Sequence, residues 1–179
     1  MGSYNIYLGD LGNSNLSDSE KATIKSTLEG WFGKIVDAGD TAIVNWVTTE
    51  PASIQEHELL VYFVGTRSST ILKFMPGSKG GGTDNGYTAF GNSITGSEVY
   101  VSNSRTGLAQ IAFHELMHNK LQLDDANLHK KDGLATIPIP PSGSPSDKNN
   151  SDMKAALKNK NKQWTGGWLA SKDPMNTYM

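Results

Sequence analysis

The sequence predicts a single domain, 1–179, of the α/β (α+β) class, with a small, mixed and mostly parallel sheet packed on two helices. Two observations predict it. Short apolar segments with strand composition alternate with two segments of helical period before residue 124. One apolar segment, Leu59–Val64, is nearly continuous, which is typical of a central strand buried on both faces. We place an N-terminal subdomain at about 1–123 and a C-terminal subdomain with one helix at about 124–179.

The first elements predicted along the chain are a strand, a helix and a strand. Residues 4–8 have the composition of a short strand, and residues 42–48 are rich in Val, Ile and Trp. Ser17 and Glu20 have the spacing of a capping box, and Gly39 is a suitable helix end. The helix between them carries one apolar stripe, formed by Ile24, Leu28, Trp31, Phe32 and Ile35.

Residues 65–86 predict a long connection that could include a short hairpin arm. The three glycines at 80–82 invite comparison with a phosphate-binding loop, but no helix pattern follows directly and the Gly-Lys-Ser/Thr ending is absent. We therefore interpret this stretch as a flexible surface loop. Residues 87–92 then predict a short edge strand, and residues 98–102 alternate as a further strand.

Composition and charge restrict the partners. The chain is 36% hydrophobic and 19% charged, which fits a globular protein rather than a disordered one. The net charge of −2 gives no basic surface of the kind that binds nucleic acid. No apolar run approaches the roughly 18 residues of a transmembrane helix. We expect a monomer with neither nucleic acid nor a membrane as partner.

The sequence contains no cysteine, which excludes disulfides and thiolate zinc sites and leaves the redox compartment open. Its first residues lack the basic and apolar regions of a signal peptide. Three expectations remain for localisation: a signal was removed, the protein leaves its cell by another route, or it stays inside.

The stretch His-Glu-Leu-Met-His at 114–118 carries the chemistry. In a helix, His114 and His118 lie one turn apart on the same face, so each can give a nitrogen to one zinc ion. Glu115 can then take a proton from a water that the metal holds. The alternative is a core helix whose two histidines make ordinary hydrogen bonds.

The surroundings of this stretch predict a helix. Ser104 or Thr106 can cap it, and a run of helical period continues through Leu108, Ile111, Ala112 and Leu116. A similar beginning occurs at His57 and Glu58, but Val61 takes the fifth position there. That stretch also has strand composition, so we interpret it as structural.

The order strand, helix, strand, strand, short strand, strand, metal-binding helix resembles the metzincin-like zincin proteases. At the sequence level the resemblance rests mainly on residues 106–129. It implies a zincin-like fold, one catalytic Zn²⁺ ion and zinc-dependent hydrolysis of peptide bonds, with Glu115 as general base. It also implies that the short edge strand, 87–92 by order, pairs with an extended peptide or protein substrate. The family places a methionine turn under the zinc, for which Met153 is the candidate by order.

Two residues are candidates for the third zinc ligand. The family continues its motif as HxxGxxH, or with Asp in the last place, and here Leu121 replaces the glycine and Asp124 takes the last place. Without that glycine the helix can run on, turn near residues 124–127 and return with His129. We predict His129, because three His ligands plus water make an open catalytic site. In the alternative Asp124 completes the site, and the unused aspartate in either case could orient a histidine.

The remaining chain predicts a loop and a last helix. Residues 137–150 are rich in Pro, Ser and Asn and predict an extended loop that borders the substrate cleft, rather than a PxxP ligand. A helix is predicted from Ser151 onward. Two other functions stay open: an inactive binding module whose structural zinc is closed by three histidines and an aspartate, and a protease toxin or effector delivered into other cells.

Overall fold

The computed structural model describes residues 2–10, 14–55, 57–65, 79–83, 85–91 and 94–165. Of the connection expected over residues 65–86, residues 66–78 and residue 84 lie outside these ranges. In chain order the elements are β1 (Ser3–Asp10), α1 (Asp18–Ile35), β2 (Thr41–Val47), β3 (Leu59–Val64), β4 (Lys79–Thr83), β5 (Gly86–Gly91), β6 (Ile94–Tyr100), α2 (Leu108–Leu121), α3 (Asp125–Leu128), a 3-10 turn (Gly133–Ala135), α4 (Asp147–Ala156) and β7 (Lys162–Gln163). Among the described helices, none combines the length and apolar character needed to cross a membrane.

The strands form one sheet in the order β2-β1-β3-β6-β5-β4, with β7 also paired to β6. Strand β1 is parallel to β2 and β3, and β6 is parallel to β3 and β7. Strand β5 is antiparallel to both β6 and β4. The predicted mixed and mostly parallel sheet is confirmed.

Strand β3 separates two apolar clusters, and its alternate residues point to opposite faces of the sheet. Its odd-numbered residues join the larger cluster, which also contains the buried side chains of α1 and α2. Its even-numbered residues join a smaller cluster that includes Tyr100. All six residues of β3 are buried, so the prediction of a central strand covered on both faces is confirmed.

Helix α1 begins as predicted. The Ser17 hydroxyl accepts a hydrogen bond from the Glu20 amide, and the Glu20 carboxylate accepts one from the Ser17 amide. The helix ends at Ile35, four residues before the expected stop at Gly39. Gly39 instead lies in the turn before β2, with φ of 89°.

Helix α2 is the central helix of the fold and is buried along most of its length. The prediction that Ser104 or Thr106 caps it is wrong, because no side chain caps this helix. The Ser104 hydroxyl is bonded to the backbone of Thr106 instead, and Gly107 begins the helix with φ of 72°. A Cβ on Gly107 would lie 2.9 Å from the Cα of Pro141, so glycine also permits close packing.

The C-terminal part differs from the prediction in three ways. Helix α4 begins at Asp147 rather than Ser151, because Ser146 and Asn149 form a capping box with Asn in place of Glu or Gln. Met153 is fully buried inside α4 and does not lie in a turn. The short helix α3 and strand β7 accompany α4, so this part contains more than one helix.

The strand that we predicted at the edge is not the outermost strand of the described sheet. Residues 86–91 do form a strand, β5, but β4 pairs with its outer side and is the outermost described strand. The prediction of a flexible surface loop at the glycines 80–82 is wrong, because these residues lie in strand β4. Hydrogen bonds between strands use backbone groups only, so a glycine-rich segment can still form a strand.

We expect Gly33→Ala to stabilise the protein. Gly33 is an exposed residue inside α1, and a Cβ added there meets nothing within 4 Å. Alanine restricts the unfolded chain more than glycine, so the free energy of unfolding should rise by about 0.5–1 kcal/mol. Urea denaturation measures this change, and a destabilised variant would show that the backbone of α1 is strained at this position.

Candidate metal centre

Three histidine side chains meet beside the C-terminal half of α2. His114 and His118 come from α2, and His129 follows directly after α3. Nε2 of His114 lies 3.2 Å from Nε2 of both His118 and His129. The ligand atoms of the three residues all lie within 4.8 Å of one another, so this group could hold a metal ion.

Backbone carbonyls fix the orientation of two of the rings. Nδ1 of His114 lies 2.6 Å from the carbonyl oxygen of Leu134, and Nδ1 of His118 lies 2.5 Å from that of Leu123. A carbonyl oxygen can only accept, so each Nδ1 carries the proton and donates it. The lone pair of each ring is therefore on Nε2, the nitrogen that faces the cluster.

Burial keeps these rings neutral. Desolvation, with a smaller contribution from the neighbouring His118, lowers the pKa of His114 to about 3. Desolvation also lowers the pKa of His118, although its bond to Leu123 opposes this effect. Near pH 7 both imidazoles are uncharged, which is the form that binds a metal ion.

A sharp turn after α2 brings His129 back to the other two histidines. Gln122 takes the left-handed conformation, with φ of 51°. It directly follows Leu121, which stands where the HxxGxxH pattern has glycine. The Asp124 carboxylate then caps α3 by accepting hydrogen bonds from the amide and the side chain of Asn127. His129, and not Asp124, therefore takes part in the cluster.

Glu115 is fully buried next to His114 in the chain. Its Oε2 accepts a 2.7 Å hydrogen bond from the Thr88 hydroxyl, while its Oε1 is buried with no hydrogen-bond partner among the described residues. Desolvation raises the pKa of Glu115 well above its usual value, and the charges of Asp125 and Glu98 raise it further. The bond from Thr88 opposes this shift. An unpartnered buried carboxylate oxygen fits a site that receives a water or a substrate group.

A chain of buried hydrogen bonds supports Thr88. The Asn119 amide donates to the Ser97 hydroxyl at 3.0 Å, and the Ser97 hydroxyl lies 2.9 Å from that of Thr88. Asn119 and Gln163 of β7 also exchange two amide hydrogen bonds. Since Thr88 donates its single proton to Glu115, the Ser97 proton points to Thr88, and the whole chain orients the glutamate.

Two glycines leave space for these side chains. A Cβ on Gly81 of β4 would lie 2.4 Å from Cε1 and 2.6 Å from Nδ1 of His118. A Cβ on Gly86 of β5 would lie 2.6 Å from Oε1 of Glu115. Such distances are shorter than real Cβ contacts, so any side chain would force these groups to move. The glycines allow the hairpin of β4 and β5 to pack directly on the cluster.

The second His-Glu stretch has no part in this cluster. The His57 ring lies edge-on against the Tyr4 ring, with centroids 6.2 Å apart. The Glu58 carboxylate accepts a 2.7 Å hydrogen bond from the Gln55 amide. Leu59 and Val61 belong to β3, as their composition predicts.

Comparison with models of protein families, with curated proteins and with solved structures finds no match to this chain. The sequence did not assign Thr88, Gly81 or Gly86 to the metal centre. Asp125 was seen only as part of a turn, and the hairpin glycines carried no side chain that could signal a site.

We expect His129→Ala to abolish tight zinc binding, whereas Asp124→Asn should retain it. Asparagine caps helices about as well as aspartate, so the second variant keeps the turn and removes only the carboxylate. Competition with a colorimetric chelator measures the affinity. If Asp124→Asn lost zinc and His129→Ala kept it, the third ligand would be assigned wrongly.

We expect Gly81→Ala to weaken zinc binding and to lower stability, because the added Cβ displaces the His118 ring from its place beside β4. Gly33→Ala is the matched control, since it adds the same methyl group in open space. Chelator competition and urea denaturation measure the two effects. An unchanged zinc affinity in Gly81→Ala would mean that β4 does not pack against the cluster.

Proposed function

We propose that this protein is a zinc-dependent endopeptidase with a zincin-like fold. The observation that supports this proposal is the convergence of three imidazole Nε2 atoms next to a buried glutamate whose Oε1 has no described partner. The histidines would hold the metal, and Glu115 would act on the water that attacks the peptide bond. The cluster thus combines uncharged metal ligands with a neighbouring base.

The donor set favours a transition metal over magnesium or calcium, and among these we propose zinc. Neutral imidazoles suit zinc, whereas magnesium and calcium prefer carboxylate and carbonyl oxygens. With bonds of about 2.0–2.1 Å to each nitrogen, tetrahedral zinc would place its ligand atoms about 3.3 Å apart. The 3.2 Å separations from His114 to the other two histidines fit that geometry. Three protein ligands leave one position for the chemistry.

The mechanism assigns one role to each group. A zinc ion, when bound, would acidify water and polarise the scissile carbonyl. Glu115 would accept the proton of the attacking water through Oε1, the oxygen that has no described partner. It then delivers the proton to the leaving amine. Thr88 holds the Glu115 carboxylate in place through its bond to Oε2, and leaves Oε1 for this exchange.

An extended peptide is the substrate that the fold can hold. Strand β4 is the outermost described strand, and its Gly81 lies against His118. A peptide that pairs with the outer edge of β4 would run beside the cluster and be held by main-chain hydrogen bonds. The proposed pairing partner is therefore β4 and not the predicted strand at 87–92, because β4 already pairs with residues 86–90.

A binding module with a structural zinc is the second candidate, and Asp125 favours it. Oδ1 of Asp125 lies 3.4 Å from Nε2 of His129 and 3.7 Å from Nε2 of His118, so it could complete a closed four-ligand site. Glu115 argues against this candidate. A structural site needs no base, and a buried carboxyl with an unpartnered oxygen lowers stability.

We expect Glu115→Gln to bind zinc as tightly as the wild type and to lose casein hydrolysis by about a hundredfold or more, the range of a general base contribution. Glutamine keeps the shape and the Thr88 contact but cannot carry the proton. Casein digestion, with chelator competition on the same samples, checks both parts. Full peptidase activity in this variant would rule out the role of Glu115.

The same assay separates the two candidates. Activity that a chelator abolishes and added zinc restores supports the peptidase. A folded wild-type protein that holds zinc and cleaves neither casein nor denatured protein would favour the structural module instead.

A further inference from the structure

The Asp125 carboxylate lies beside two of the three histidines of the cluster, His118 and His129. A zinc ion bonded to three imidazoles would have its fourth ligand about 3.3 Å from each nitrogen. Oδ1 of Asp125 lies 3.4 Å from Nε2 of His129 and 3.7 Å from Nε2 of His118. Small movements of this side chain would bring the oxygen within bonding distance of the metal.

The packing around Asp125 keeps this place free for a carboxylate. A Cβ on Gly81 would lie 2.8 Å from Oδ1 of Asp125, so a side chain at position 81 would push the carboxylate away. Asp125 also begins α3, the helix that His129 follows. One short segment, 125–129, therefore places both a carboxylate and an imidazole beside His118.

Asp125 differs from the histidines in how firmly it is enclosed. Its side chain is 53% exposed, whereas that of His118 is fully buried and that of His129 is 11% exposed. The rings of His114 and His118 are also held by backbone carbonyls. The Asp125 side chain is therefore far more exposed than the two rings, and it can move with less repacking than they can.

We propose that Asp125 is a displaceable fourth ligand, which occupies the reactive position of the metal in the resting protein and leaves when water or a substrate carbonyl enters. This inference rests on the proposed zinc centre and deepens it, because it makes the site self-capped. If the carboxylate is displaceable, a resting site with four protein ligands is compatible with a catalytic role for Glu115. A permanent ligand would block the position that Glu115 serves.

The test compares Asp125→Ala and Asp125→Asn with the wild type, all loaded with zinc. Asp147→Ala is the matched control, because Asp147 is also an exposed carboxylate in the first turn of a helix. Chelator competition measures zinc affinity, and calorimetry measures the binding of acetohydroxamate, a small chelating ligand of zinc. The asparagine variant keeps the size of the side chain, and thermal unfolding checks that each variant is folded.

We expect both Asp125 variants to bind zinc about tenfold or more weakly, since even residues outside the ligand set can change metal affinity by that factor. Acetohydroxamate should bind about tenfold more tightly to them, because no carboxylate competes for the position. The Asp147→Ala control should match the wild type in both measurements.

Three results would overturn the inference. Unchanged zinc and hydroxamate affinities would show that Asp125 is not a ligand. Weaker zinc binding without tighter hydroxamate binding would make it a permanent structural ligand. A wild-type protein that binds no zinc would remove the centre itself. If both affinities shift as expected while casein stays intact, Asp125 is the displaceable ligand and the proposed peptidase function fails.

Discussion

The candidate centre depends on two hydrogen bonds, from Nδ1 of His114 to the Leu134 carbonyl and from Nδ1 of His118 to the Leu123 carbonyl. These bonds fix which nitrogen carries the proton and where the other lone pair points. The Leu123 carbonyl belongs to the turn after α2, and the Leu134 carbonyl belongs to the 3-10 turn Gly133–Ala135. The backbone after α2 therefore orients His114 and His118, which lie on α2. A change in either turn would move one of these rings.

The interior around this centre is polar at a cost to stability. Glu115 is fully buried, and its raised pKa reflects the free energy needed to ionise it there. The hydrogen bond from Thr88, supported by Ser97 and Asn119, offsets only part of that cost. An apolar residue in place of Glu115 would give a more stable core. The arrangement is explained if the glutamate is needed for chemistry.

The sequence predicted the parts that depend on local patterns. The capping box at Ser17, the buried strand β3 and the pairing of His114 with His118 follow from short spacings. The turn at Gln122 could not be predicted, because a left-handed residue other than glycine is held by tertiary contacts. Strand β4 was missed for a similar reason: Gly81 is required by the space beside His118 and Asp125, which are distant in the sequence, and not by strand propensity.

Helix α3 and the residue after it bring two opposing requirements of a metal site into one segment of five residues, 125–129. His129 at its end completes the imidazole cluster, and Asp125 at its beginning lies one turn away, on the same face. A shift of the whole helix would disturb the imidazole and the carboxylate together. Rotation of the Asp125 side chain changes only the carboxylate. Opening the proposed metal position by rotating this side chain therefore costs less free energy than moving the backbone. The half-exposed position of Asp125 permits such a rotation.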